Sequence, residues 1–396
     1  MKNRHRLIIL TFLSYYSFFL FGFTDNIKGP AIPALLEDLN LSYTGGSSLL
    51  LAAYIGFLTG VLATGYVASR KDNRAALILA GIAITAGASG NALGAPMALL
   101  LATFFLIGFG LGSLEVGANG LIAGLYPAES GKYLNLLAVF HGAGSMAAPF
   151  IAGLLLAGGA SWRTLYTLVI PLAALQVFLL LLFKRPEGIG TPSGEAEKVR
   201  FSILIRRDVM LYALVLTFYV SAEVGIAAWM VDYLLNARDY TVSRGSVMLS
   251  VFFGCLMAGR LAGSILVERL GYRRMLILAV TAAMVCFGCG ALLPAAFAFL
   301  IPLTGLFFSI IFPTATADAA RRSDAPRSAV FSVLFFFAGL GGMLGPYLVG
   351  IASDFLTIRG GFILNLLFIA LLLPPLLMLK PESTSRGTVA DPVEQL

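Results

Sequence analysis

Six ionisable side chains fall in stretches otherwise too apolar to hold them: Asp25, Glu115, His141, Glu223, Arg260 and Asp318. An ionisable group inside a membrane-length apolar segment is costly to place, so each is a candidate for function. Glu115 sits in LIGFGLGSLEVGANGLI, among glycines 108, 110, 112, 117 and 120, which would let a neighbouring helix pack close. On a helix Glu115 and Asn119 share one face. Desolvation there disfavours the charged carboxylate, which suits a group that takes up and releases a proton. The plainer alternative is an acid that only tethers a neighbouring helix. Asp25, in GFTDNIKGPAIP, aligns with Glu223, in YVSAEVGIAAW, at a shift of 198 residues. Two carboxylates at matching positions are expected to face each other across one cavity, with Asp25 as a second candidate for proton coupling. The alternative for Asp25 is a local ion pair with Lys28.

Around these acids stand groups suited to a hydroxyl-rich ligand. Asn26 and Asn119 offer both donors and acceptors. His141 reads either as a partner of substrate or of Glu115, or as a packing residue. Trp229 and Tyr219 could stack on a sugar-like ring or anchor at the membrane interface. Arg260 fits a structural role tying helices together, and Asp318, next to Arg321 and Arg322, reads as a salt bridge at a gate. Pro30 and Pro33 remove two backbone donors and should bend or break their helix, exposing backbone polar groups where it lines a cavity.

The elements that must hold these residues are membrane spans. Of 396 residues 59% are hydrophobic and 12% charged, with mean hydropathy +0.90, against roughly 25% charged in soluble domains. Stretches long enough to cross about 30 Å of hydrocarbon fall near 7–35, 47–68, 75–93, 97–124, 131–157, 163–183, 209–236, 245–267, 274–293, 295–319, 327–353 and 359–379. The first follows MKNRHR but runs too long for a signal peptide, so it reads as a retained span. Lys and Arg number 21 in the terminal segments and the loops on their side, against five in the loops on the other. That asymmetry predicts cytoplasmic N- and C-termini in a plasma (bacterial inner) membrane. It also accounts for the net charge of +7 without nucleic acid as a partner.

The chain repeats itself. Gly142-Ala-Gly144-Ser-Met146-Ala-Ala-Pro149 returns as Gly339-Leu-Gly341-Gly-Met343-Leu-Gly-Pro346, and the stretch from Gly60 to Arg70 returns from Gly259 to Arg269. Two matches at nearly one offset indicate duplicated halves. The expected organisation is an N-terminal six-helix bundle over 1–183, a cytoplasmic linker over 184–208, a C-terminal six-helix bundle over 209–379 and a tail over 380–396 expected to be disordered. Parallel six-helix repeats place a site near the bilayer midplane. Enzyme motifs are missing: the sequence has no GxxxxGK[ST] and no HExxH. No cofactor or metal is expected, since the CxxC spacing of Cys286 and Cys289 comes without further ligands. The reading left is secondary transport.

The residues resemble the major facilitator superfamily and, within it, the fucose/galactose/glucose:proton symporter group. GLGSLEVGAN at 110–119 resembles that group's fourth-span GLGxLExxAN; Asp25-Asn26 resembles its first-span Asn-Asp region. YVSAEVGIAAW at 219–229 is similar to its seventh-span pattern, and IFPTATADA at 311–319 to its tenth-span stretch. The loop GYVASRKDNR is a degenerate form of the superfamily's GxxxDxxGRR. The resemblance implies a twelve-helix all-α fold and proton-coupled uptake of a monosaccharide by alternating access. Glu115 and Asp25 would be its proton-linked and substrate-linked acids. The repeat-mate of Glu115 is Phe312, which confines the proton chemistry to the first half. The alternative is a drug or metabolite efflux antiporter using the same acids. A monomer in the lipid bilayer is expected.

Overall fold

The computed structural model describes residues 2–70, 73–94, 96–183 and 206–380. Most of the expected linker, 184–205, and the tail from 381 lie outside the described residues. The described chain is helical: α1 (Lys2–Asn26), α2 (Lys28–Asp38), α3 (Tyr43–Arg70), α4 (Asn73–Leu93), α5 (Met97–Leu125), α6 (Ser130–Ala157) and α7 (Trp162–Leu182). After them come α8 (Arg207–Arg238), α9 (Val242–Leu270), α10 (Tyr272–Leu292), α11 (Leu300–Arg322), α12 (Arg327–Ala370) and α13 (Leu373–Met378).

These helices make twelve crossings. α1 and α2 form one span, interrupted at Ile27, which keeps helical angles (φ −67°, ψ −21°). Pro30 has no N–H to give the Asn26 carbonyl, so the ladder loses a bond where the interruption falls. At the other end α12 reverses at Thr357 (φ 70°, ψ 163°), which divides it into the eleventh span and most of the twelfth. The turn is made by a residue in the left-handed region, between the spans expected at 327–353 and 359–379.

The apolar side chains form two cores, one from α1–α7 and one centred on α8–α13 that also takes in Ile32, Leu36 and Leu50. Without a hydrophobic force between helices in lipid, close backbone approach does much of the joining. The α3–α5 seam shows it: a Cβ on Gly108 would overlap the Ala53 carbonyl oxygen, and one on Gly112 the Phe57 carbonyl. Gly108→Val is therefore expected to destabilise the fold by at least the roughly 1–3 kcal/mol of an overpacked core. A lowered melting temperature in detergent would register this, and an unchanged one would count against the seam.

Matching arginines close each half. Arg74 Nε donates to the Leu180 carbonyl (2.8 Å) at the end of α7, and Arg273 Nε donates to the Leu376 carbonyl (3.1 Å) in α13. Each caps helix-end carbonyls that lack intrahelical partners.

Candidate functional site

A cavity of about 90 Å³ lies between the two cores, lined among others by Asp25, Asn26, Lys28, Tyr54, His141 and Glu223. Asp25 and Asn26 come from the end of α1, Lys28 from the start of α2, Tyr54 from α3, His141 from α6 and Glu223 from α8. The repeat-related acids thus share one cavity, one from each half. Leu50, Val224, Ala227, Phe253 and Pro346 supply apolar wall.

Lys28 is 9% exposed, and its Nζ lies 2.6 Å from Asp25 Oδ1 and 5.4 Å from the Tyr54 ring centroid. The local ion pair is formed, and it is formed in the cavity wall. Asn26 Nδ2 donates to the Gly22 carbonyl and to Ser145 Oγ on α6, both at 2.9 Å. Both amide hydrogens are spent, one on the α1 backbone and one on joining α1 to α6, leaving Oδ1 as the group Asn26 can offer. The His141 ring meets Phe21 edge to face (4.7 Å, 73°).

Glu115 and Asn119 do share a face of α5: Asn119 Nδ2 donates to Glu115 Oε1 at 3.0 Å and to the Glu115 carbonyl at 2.8 Å. Neither lines the cavity. Beside them the structure corrects the reading of Arg260. It is exposed, makes no ion pair within 4 Å among the described residues, and acts electrostatically on Glu115, His141 and Glu223. No hydrogen bond or ion pair among the described residues ties it to another helix.

Three further expectations change. Trp229 is fully buried, its Nε1 donating to the Pro346 carbonyl (2.9 Å) and its ring against Tyr43 (5.7 Å). It neither lines the cavity nor anchors at an interface, because its single donor is consumed inside the fold. Tyr219 is 2% exposed and packs on Phe308 (5.4 Å) behind Glu223, outside the cavity wall. Asp318 is fully buried and paired with Arg321 (2.7 Å) and Arg322 (3.0 Å), and it accepts from the Tyr212 hydroxyl. Every one of these partners belongs to the second half, so the cluster staples α11 to α8 and does not bridge a gate. Pro30 and Pro33 are buried in α2, below the cavity wall formed by Lys28 and Gly29.

The chain termini define one face of the bundle, here the terminal face. On the opposite face the two halves are closed together. The Tyr43 and Thr44 amides opening α3 donate to Asp354 Oδ1 (2.9 Å) and Oδ2 (2.8 Å) at the end of the eleventh span. Gly153 of α6 packs on Ser246 of α9, and Gly350 of α12 on Ser47 of α3. Asp232 of α8, 1% exposed, lies beside Tyr43 and accepts from Asn236 (2.9 Å). Sequence reading missed Asp232 and Asp354, because each lies near a span end where an acid is unremarkable; only the pairing across halves gives them meaning.

Towards the terminal face Arg260 is exposed and Glu115, Asn119 and His141 are half-buried. The small cavity, well under the roughly 300–1,000 Å³ of ligand pockets, fits a site squeezed from the opposite face. Asp354→Ala removes a helix cap contributing about 0.5–2 kcal/mol, and is expected to loosen that closure. Ser47→Cys, buried beneath the cap, should then gain labelling by an impermeant maleimide; unchanged labelling would speak against Asp354 as the fastening.

A family model described as Major Facilitator Superfamily matches residues 15–325 and 240–394. A glucose/galactose transporter of Brucella abortus biovar 1 is 23% identical over 370 residues, covering 88% of this chain and 89% of the relative. The L-fucose-proton symporter of Escherichia coli is 23% identical over 383 residues, covering 85% of each. Among solved structures, the nucleoside transporter NupG superposes with TM-score 0.76 at 14% identity, covering 94% of this chain and 97% of that one. Duplicated six-span halves, a cavity between them and these matches converge: the chain belongs to the Major Facilitator Superfamily, as a multi-pass membrane transporter and not an enzyme.

Proposed function

We propose that this protein carries a monosaccharide across the membrane by alternating access, coupled to protons. The observation that supports it most is the cavity wall, where Asp25, Glu223 and the Asn26 carbonyl oxygen, acceptors from both halves, converge beside His141. A ring bearing several hydroxyls donates in several directions at once, and fixed acceptors on opposite walls suit it. Relatives named for glucose/galactose and for L-fucose agree with this choice.

With the terminal face cytoplasmic, as the basic loops indicate, the state described is closed to the outside. Glu115 and Arg260 stand on opposite halves, and rocking that shuts the cytoplasmic mouth brings α5 and α9 together. Charged, the pair holds the carrier outward; a proton taken by Glu115 from outside releases it. Opening inward then lets Glu115 lose the proton to the cytoplasm, and renewed attraction to Arg260 resets the carrier. Substrate at Asp25 and Glu223 travels on the protonated leg.

Binding separates this reading from the exchange of lipophilic cations for protons. Labelled D-glucose bound to the purified protein should be displaced by D-galactose or L-fucose and not by tetraphenylphosphonium. Displacement by the cation, with no sugar binding, would overturn the sugar assignment.

A further inference from the structure

The cavity holds two carboxylates but only one of them has a cation attached to its own helix run. We propose that Lys28 is a tethered counter-cation, which keeps Asp25 ionised in every state of the cycle and leaves the travelling proton to carboxylates without such a partner. The consequence for coupling rests on the symport reading above; the ionisation of Asp25 does not.

Three features carry it. Lys28 and Asp25 straddle the interruption at Ile27, on one continuous span, with Nζ and Oδ1 2.6 Å apart. Rocking of one half against the other moves both together, so the pair persists while cross-half neighbours such as Glu115 and Arg260 part and meet. Lys28 is also almost buried, and its ammonium has no carboxylate but Asp25 within 4 Å among the described residues, only the Tyr54 ring face besides. A proton on Asp25 would therefore strand a second positive charge inside the membrane, which costs more than leaving the pair ionised. Finally, the groups that interact electrostatically with Asp25 include no lysine or arginine to replace Lys28: they are Tyr54 of α3, His141 of α6, Tyr166 of α7 and Glu223 of α8. Glu223, on the facing wall, has no ion-pair partner within 4 Å among the described residues. The site is built asymmetrically, with a fixed anion on the first half and a protonatable one on the second. Asp25 then acts as a constant acceptor of substrate hydroxyl hydrogens whatever the outside pH.

Infrared spectroscopy of the purified protein counts protonated carboxyl groups directly. Lys28→Met, similar in length but uncharged, should gain one protonated carboxyl band near neutral pH; Asp25→Asn/Lys28→Met should lack that band, and Lys28→Arg should not gain it. Asp25→Asn alone should remove no protonated band between about pH 5 and pH 8, a window above the ordinary carboxylate range in which a band marks a carboxyl held protonated. In proteoliposomes loaded with D-glucose as the probe, Lys28→Met should raise the number of protons moved per sugar by one. No new band in folded Lys28→Met overturns the proposal. Should that variant fail to fold, Asp25→Asn decides by itself, because a protonated band lost with Asp25 shows that the group titrates in the intact protein. A wild type that moves D-glucose without protons would refute the symport reading and leave the infrared result standing.

Discussion

Glu115→Gln is expected to reduce proton-driven accumulation to simple equilibration, while exchange of labelled for unlabelled sugar continues. Glutamine keeps the shape of Glu115 and its hydrogen bond with Asn119 on α5, so the fold has little reason to change. It cannot lose a proton, however, and so cannot re-form a charged pair with Arg260 on the other half. The cycle then runs only between loaded states, which is exchange. A carrier that still concentrates sugar against its gradient after this substitution would remove Glu115 from the coupling step. Asn119→Ala, which leaves the carboxylate in place but frees its side chain, is the milder control.

Asp25→Asn should weaken sugar binding by roughly 10- to 150-fold, the range set by losing a charged hydrogen-bond acceptor contributing about 1.5–3 kcal/mol. Two effects act together. The acceptor loses its charge, and Lys28 loses the one carboxylate within 4 Å of its ammonium among the described residues. Equilibrium binding of labelled D-glucose measures the loss. Wild-type affinity in the variant would mean that Asp25 points at Lys28 alone and never at substrate.

What the sequence made legible was whatever the two halves do twice. Gly144 and Gly341, matched in the repeat, seat their helices in the same way: a Cβ on either would overlap a backbone carbonyl, Phe19 of α1 in one case and Thr217 of α8 in the other. Gly60 against Phe109 and Gly259 against Leu306 repeat the relation between α3 and α5 in α9 and α11. Duplicated packing constraints leave duplicated glycines, and the Asp25–Glu223 match follows the same logic into the cavity. Span positions were legible because hydrocarbon thickness fixes helix length. The turn at Thr357 falls in the expected loop between spans, flanked by Asp354 and Arg359, although nothing in those residues announces its left-handed backbone.

What stayed hidden lies in contacts between non-equivalent elements. Asp354 on the amides of Tyr43 and Thr44, and Asp232 beside Tyr43, join positions more than 180 residues apart that have no counterpart in the repeat. Trp229 reads as a ring available for stacking until its neighbours Tyr43 and Pro346 are in place. Arg260 shows the limit most clearly. The repeat element Gly259-Arg-Leu-Ala-Gly suggested packing, and its glycine does pack, but the adjacent Arg260 is exposed and makes no ion pair within 4 Å among the described residues. Helical neighbours a single position apart face different directions, so a motif can be packed at one residue and exposed at the next.

Proton-coupled movement of a monosaccharide is read out by uptake of labelled D-glucose, D-galactose and L-fucose into proteoliposomes, with and without an inward proton gradient. At least one of these sugars is expected to accumulate above its outside concentration only when the gradient is present, and to return to equilibrium when the gradient is dissipated. Equal uptake under both conditions would contradict the coupling, and proton flux triggered by lipophilic cations without uptake of any sugar would contradict the substrate class as well.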